Sequence, residues 1–454
     1  MKHLSRTLCS AALASIALVA AAVLPLRADG DAKLYHDAAE IVQRWNWFIT
    51  DIMVDEIRTP CNIGRVYAYF NVAGYEAARP GFPNFRSFAG QVNGLPDVPQ
   101  PQAGQHYDWR VSMVAAYKVI GDELTFTGGR VDSMYDEDMS RFKASGVAAD
   151  VIERSRAFGE SVARRLIQRS KADGYVKNTA RERYVIPKGP GLWEPTPPDF
   201  VDPVDPFWKD VQPWALKSAG QIPINPPKPY STKKGSAFYN QAMEVYTINK
   251  NLNDSEKLVA SFWDCNPIHS FHHGHVMFTS RQISPAGHWI NITKIACQKK
   301  GAGMMESLQA YAMVSVSIAD AFLSCWNEKY GVKDGGIRPV TYIRKYIDTA
   351  WLPEIQTPPF PEHSSGHSTI SAAAAEMLTH LFGEMPFDDN TETYLKYRDG
   401  YMPVRSFPNF MTAAREAAMS RLWGGIHFRH SNESGTKNGV EIADYVWKHV
   451  QTRK

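Results

Sequence analysis

The sequence predicts an all-α protein, and two observations carry that prediction: apolar residues recur at three-four spacing over long stretches, and alternating strand patterns are scarce. Over residues 147–167, Val151, Ser155, Phe158, Val162 and Leu166 fall on one stripe, with Glu153, Arg154, Arg156, Glu160 and Arg164 mostly off it. Leu308, Ala312, Ser315, Ala319, Phe322 and Trp326 repeat the pattern, predicting a helix that stops just before Lys329, with Gly331, Gly335 and Gly336 in the loop beyond. Further helices are expected over 38–53, 61–78, 109–120, 236–248, 254–263, 368–382, 410–422 and 433–449.

The first 28 residues read as a secretion leader. Lys2 and Arg6 precede an apolar run over 11–26, and Leu26-Arg27-Ala28 offers a small-residue cleavage site before Asp29. The run is short for a bilayer span, so cleavage and a periplasmic or secreted location are expected, with no membrane span afterwards. Cleavage removes Lys2, Arg6 and Arg27, taking Lys plus Arg from 50 to 47, equal to the 47 Asp plus Glu. A formally neutral chain gives no support to a nucleic-acid partner. Cys61, Cys265, Cys297 and Cys325 are too widely spaced to suggest a zinc site, and both bridges and buried thiols remain open.

The expected organisation is an N-terminal helical half (29–186), a strap (187–230) and a C-terminal helical half (231–454). Residues 187–229 hold twelve of the 29 prolines, together with Trp193, Trp208 and Trp214. Those tryptophans argue for an irregular segment packed over helices rather than a solvated linker.

Three pieces of the C-terminal half describe a pocket for a tetrahedral oxyanion: WNEKYGVKDGGIRP (326–339), PPFPEHSSGHS (358–368) and SRLWGGIHF (420–428). In the second, Ser365 and Gly366 open a helix whose unpaired N–H groups and dipole suit an anion, and His367 projects from its first turn. Alone, that pattern is an ordinary helix cap. In the third, Gly424-Gly425 ends a helix and turns the chain, so that His427 comes back toward Arg421; His430 competes for the role. In the first, Arg338-Pro339 adds a second guanidinium, and Lys329 or Lys333 a third cation. No acid is assigned beside these cations, so something strongly negative is expected between them. A binding module needs the cations but not two histidines, which points to an enzyme.

These pieces resemble the signature joining vanadium-dependent haloperoxidases to type 2 phosphatidic acid phosphatases. Arg338-Pro339, Ser365-Gly366-His367 and Ser420-Arg421 with His427 match it in order and spacing. Two departures stand out: Lys329 and Arg338 are separated by eight residues where the family has six, and Ser364 replaces a proline. The Trp326-x-x-Lys329 context favours Lys329 over Lys333. The resemblance implies two helical bundles with the site in the second. It also implies a vanadate cofactor bonded to His427 and held by Lys329, Arg338, Ser365, Gly366 and Arg421. His367 would be the acid–base group, and Lys329 would polarise peroxide for attack by halide. Hydrogen peroxide, a halide and an organic acceptor would be the partners. Phe360 resembles the chloroperoxidase arrangement beside the apical oxygen, and a core role is equally open to it.

The rival reading uses the same residues on a phosphoester: phosphate occupies the site, His427 becomes phosphohistidine and His367 protonates the leaving alcohol. Without a set of membrane spans, and with a chain longer than small secreted acid phosphatases, the haloperoxidase reading is preferred. A third reading takes His269, His272, His273 and His275 as a transition-metal site in an exported metal-binding protein. Against it, His272 and His273 are adjacent and cannot easily converge, so a polar loop is the plainer expectation.

Overall fold

The computed structural model describes residues 28–394 and 402–454. The expected leader, residues 1–28, lies outside the described residues save for its last position. The described residues form fifteen α-helices: α1 (Ala28–Asp37), α2 (Ala39–Asp55), α3 (Pro60–Ala78), α4 (Trp109–Leu124), α5 (Gly128–Ala144), α6 (Ala149–Ala172), α7 (Tyr175–Thr179), α8 (Ala237–Lys250), α9 (Asp254–Phe262), α10 (Pro285–Lys300), α11 (Met304–Gly331), α12 (Pro339–Tyr346), α13 (Gly366–Phe382), α14 (Phe410–Trp423) and α15 (Arg429–His449). Two antiparallel pairs are the strand content of the described residues: β1 (Ser270–His273) with β2 (Val276–Thr279), and β3 (Phe387–Asp389) with β4 (Arg405–Phe407). The protein is all-α in class.

Helix starts are set by local chemistry. Thr59, Asp108, Ser236, Asn253, Ser284, Ser365 and Asn409 each accept a backbone N–H at an N-terminus, and Asn253 with Glu256 closes a capping box. Two expected boundaries shift. Helix α11 runs through Lys329 to Gly331, because nothing before Val332 interrupts its hydrogen bonding, so Lys329 sits in its last turn rather than beyond it. Helix α10 escapes the periodicity reading because it is buried on nearly every face, leaving no polar stripe to define a period.

α3, α4, α5 and α6 pack together, while α13 packs on α15, α11, α14 and α10. Helix α11 joins the groups by also packing on α3, and one continuous hydrophobic core reaches from Ala38 to Val450. It is the one described helix long and apolar enough to cross a membrane, and 94% of its apolar window is buried inside the protein. The irregular segment 187–229 lies against this core through Trp208 and Trp214. Its anchor is Asp320 of α11, whose buried carboxylate accepts the N–H groups of Trp214 (2.7 Å), Ala215 (2.8 Å) and Leu216 (2.9 Å). Arg169 covers the Trp214 ring at 3.8 Å.

The helix that opens the site is held by close backbone approach. α15 presses glycines onto α13: a Cβ at Gly435 would lie 2.7 Å from the Ser365 carbonyl oxygen, and one at Gly439 would run into that of Thr369. Gly439→Ala therefore lowers stability by roughly 1–3 kcal/mol through overpacking. Gly331→Ala, at the end of α11 with nothing within 4 Å, is neutral or slightly stabilising. Chemical denaturation midpoints check the contrast, and equal shifts for the two variants would contradict this packing.

Candidate active site

Four elements deliver the site. The last turn of α11 brings Lys329, the N-cap of α12 brings Arg338, the N-terminus of α13 brings Ser365, Gly366 and His367, and the α14–α15 turn brings Arg421 and His427. Gly425 has φ +76, a left-handed turn that glycine adopts freely, and it lets the His427 N–H return to the Arg421 carbonyl at 3.3 Å.

His427 is almost fully buried and held at both ring nitrogens. Nδ1 lies 2.8 Å from Glu362 Oε1, and Nε2 lies 3.1 Å from an Arg338 guanidinium nitrogen. The same Glu362 oxygen already accepts the Phe428 N–H at 3.0 Å, so it acts as the acceptor and the ring donates from Nδ1. That leaves the Nε2 lone pair for Arg338 or for an electrophilic centre. Burial first, then the nearby Arg338, Lys329 and Arg421, push His427 well below the usual imidazole range. It is neutral, as a nucleophile or metal ligand must be.

The cations donate mostly to main-chain carbonyls. Lys329 donates to the carbonyls of Pro361 (2.8 Å), Glu362 (3.1 Å) and Ser364 (2.5 Å), and burial brings it down to about 8. Arg338 donates to Phe360 O (2.8 Å) and Ile426 O (2.9 Å), and burial brings it to about 10. Arg421 donates to Trp263 O (2.6 Å) and Ala260 O (3.3 Å) and is likewise lowered by burial. Phe360 packs beside both Lys329 (5.0 Å) and Arg338 (5.1 Å). Lys333 is exposed, and His430 turns away to the Pro226 carbonyl at 2.8 Å.

Phe360, Gly366, His367, Arg421 and His427 line one cavity of ≈ 50 Å³, with Asp264, Cys265 and Trp326 on its walls. A water needs roughly 10–15 Å³ on this measure, so the space suits one small tetrahedral oxyanion. Lys329, Arg338 and Ser365 stand behind the lining. The Ser365 hydroxyl caps α13 and accepts from Ser368 Oγ at 2.8 Å. His367 Nε2 is buried and has no hydrogen-bond partner. Burial, then Arg421, keeps its ring neutral. An unpartnered imidazole nitrogen beside a buried arginine fits an absent anion oxygen. The donor set therefore fits vanadate, which neutral His427 would ligate directly with N–H donors around it.

One expectation is corrected. The cations do have an acid among them: Glu362 touches His427 directly, and its own carbonyl holds Lys329. It is the sole acid in the piece 358–368, which was the available signal. The histidine hairpin does not converge either. His269 pairs with Ser280 Oγ (2.9 Å), His272 with Asp199 (2.9 Å), and His273 packs against Phe271 and Phe278. Cys61, Cys265, Cys297 and Cys325 are buried and free, without bridges.

The family described as "VCPO second helical-bundle domain" matches residues 309–453. A solved structure of a bacterial vanadium-dependent iodoperoxidase is 37% identical, with TM-score 0.83, over 92% of this chain and 97% of that one. A bacterial vanadium-dependent chloroperoxidase in its holo form shares the fold at TM-score 0.62 and 15% identity, over 87% of this chain and 93% of that one. A search of curated proteins found no match. The fold and this degree of identity define a peroxidase-type enzyme of the haloperoxidase class. The chain belongs to the bacterial vanadium haloperoxidase family.

Burial raises Glu362 to about 7, against an ordinary value of 4.5. Between those values the folded chain holds a proton that the unfolded chain has released, so this residue's contribution to stability falls as pH rises through the window. Glu362→Gln removes that contribution. Relative to wild type, the variant gains stability between pH 5 and pH 8, read from urea midpoints; a constant difference would contradict the assignment.

Proposed function

We propose that this protein is a vanadium-dependent haloperoxidase that uses hydrogen peroxide to oxidise halide, iodide most readily, and passes the product to an organic acceptor. The observation that carries this is the shared cavity: neutral His427, Arg421 and an unpartnered His367 face the same small space. Bound vanadate would supply a Lewis-acidic centre that activates peroxide toward halide without changing its oxidation state.

The chain's own residues do the rest. Glu362 accepts a hydrogen bond from the Nδ1–H of His427 and so keeps the Nε2 lone pair available. Arg421, the Gly366 N–H and the positive end of α13 face the anion's oxygens, with Arg338 and the Ser365 hydroxyl close behind. Lys329 differs from the family expectation. Its three protons hold the Pro361–Ser364 turn, so it fixes the loop between Phe360 and Ser365 and adds its charge through space. His367 accepts the proton that peroxide loses and returns it to the leaving oxygen. The preference for iodide follows from the 37% identical iodoperoxidase and from iodide being the halide most easily oxidised. The basic-apolar leader supports action in the periplasm or outside the cell.

The test compares one preparation in two assays: halogenation of a diketone dye with peroxide and halide, and hydrolysis of an aryl phosphate. Vanadate is expected to switch on the first, with iodide faster than bromide or chloride, and to inhibit any of the second. Hydrolysis alone would overturn the proposal in favour of a phosphohistidine phosphatase. His427→Ala abolishes halogenation, and His367→Ala lowers kcat by about 10²–10⁴-fold while vanadate still binds. Full activity in either variant would place the chemistry elsewhere.

A further inference from the structure

A second cluster of chemistry-bearing side chains lies behind the cavity wall, and the reaction above does not use it. Cys265 follows α9, His288 lies in the first turn of α10, and Asp389 and Glu392 come from β3 and the turn after it. All four are buried, and His288 is completely so. Trp263 stacks on the imidazole at 4.5 Å, closing one face of it.

The spacings match those of co-ligands, and Cys265 Sγ also lies within hydrogen-bonding reach of His288. Cys265 Sγ lies 3.5 Å from His288 Nδ1, and Glu392 Oε1 lies 3.5 Å from the same nitrogen. The three ligand atoms all fall within 4.8 Å of one another. An N···O separation of that length is too long for a good hydrogen bond, whose range is roughly 2.7–3.2 Å. A tetrahedral ion about 2.3 Å from sulfur and 2.0–2.1 Å from nitrogen and oxygen sets its ligand atoms ~3.3–3.6 Å apart.

The remaining imidazole nitrogen is held as a metal-bound histidine's usually is. His288 Nε2 meets Asp389 Oδ2 at 2.7 Å, and Asp389 is fixed in turn by the Thr391 N–H (3.0 Å) and hydroxyl (2.6 Å). That leaves Nδ1 as the free donor toward Cys265 and Glu392. A thiol, an imidazole nitrogen and a carboxylate oxygen within 4.8 Å of one another form a three-donor set of the kind that holds a dication.

We propose that Cys265, His288 and Glu392 bind one borderline-soft divalent cation of the zinc type, with Asp389 orienting the histidine. Mixed sulfur, nitrogen and oxygen donors select such an ion over magnesium or calcium. The site ties three separate segments together: the 263–267 wall of the cavity, α10, and the β3 turn. Because Cys265 lines the cavity, the ion braces part of its wall and ligates a thiol that peroxide would otherwise reach. This site is distinct from the oxyanion pocket and does not depend on vanadate.

The experiment uses full-length protein without a His tag and without vanadate, dialysed against metal-free buffer and assayed for zinc, copper and cobalt. About one zinc per chain is expected, lost in Cys265→Ala and Glu392→Gln and kept in a His272→Ala/His273→Ala double variant. Cobalt exchange into the wild-type protein is expected to give a thiolate-to-cobalt absorption band, which needs no variant to fold. Absence of both bound zinc and cobalt uptake overturns the proposal, as does metal that survives in Cys265→Ala. Failure of zinc and cobalt binding alongside vanadate-dependent halogenation would sink this site alone, leaving the vanadate reading intact.

Discussion

The structure depends on keeping three cations and two histidines buried around one small space. Burial opposes each of the cationic charges, and the protein answers with main-chain carbonyls and with the carboxylates of Glu362 and, near Arg421, Asp264. Glu362 joins the parts. Its side chain orients His427 and takes the Phe428 N–H, while its carbonyl receives Lys329. That arrangement fixes which imidazole nitrogen faces the cavity, and it explains how cations can lie so close before any anion arrives.

The fold exists to bring four element ends to one point. α11 supplies both the core and, in its last turn, Lys329, so any tilt of the helix would move the cation relative to the 361–364 turn. α15 lies so close on α13 that glycine is needed at the contact, and this rigid pairing holds the anion-facing helix start against the turn carrying His427. The Trp-rich segment is bound to the same scaffold through Asp320, so the two halves of the chain share one core.

Much of this was legible in the sequence, for identifiable reasons. Amphipathic helices such as α6 leave a clear apolar stripe, and short motifs such as Ser365-Gly366-His367 encode a helix start directly. Fully buried helices are harder: α10 has no polar face, so periodicity was blind to it. Helix α11 outran its expected end because the glycines beyond Lys329 read as loop, whereas the helix continues to Gly331 and the Lys329 ammonium is buried against carbonyls. Glu362 was visible but silent, since a carboxylate's partner is set by the three-dimensional return of His427 at the glycine turn. The histidine-rich stretch, expected to be a polar loop whose side chains do not easily converge, forms a short hairpin that sends His269 and His272 to separate partners.

The central claim of the proposed function is specific: one inorganic oxyanion would be held by His427 Nε2, with Arg421 and His367 lining the same cavity. The most direct measurement is a crystal structure of the protein soaked in orthovanadate. The account predicts density for a single vanadium centre bonded to that nitrogen, with an oxygen beside His367 Nε2. Vanadate bound anywhere else, or a vacant cavity at saturating vanadate, would contradict it.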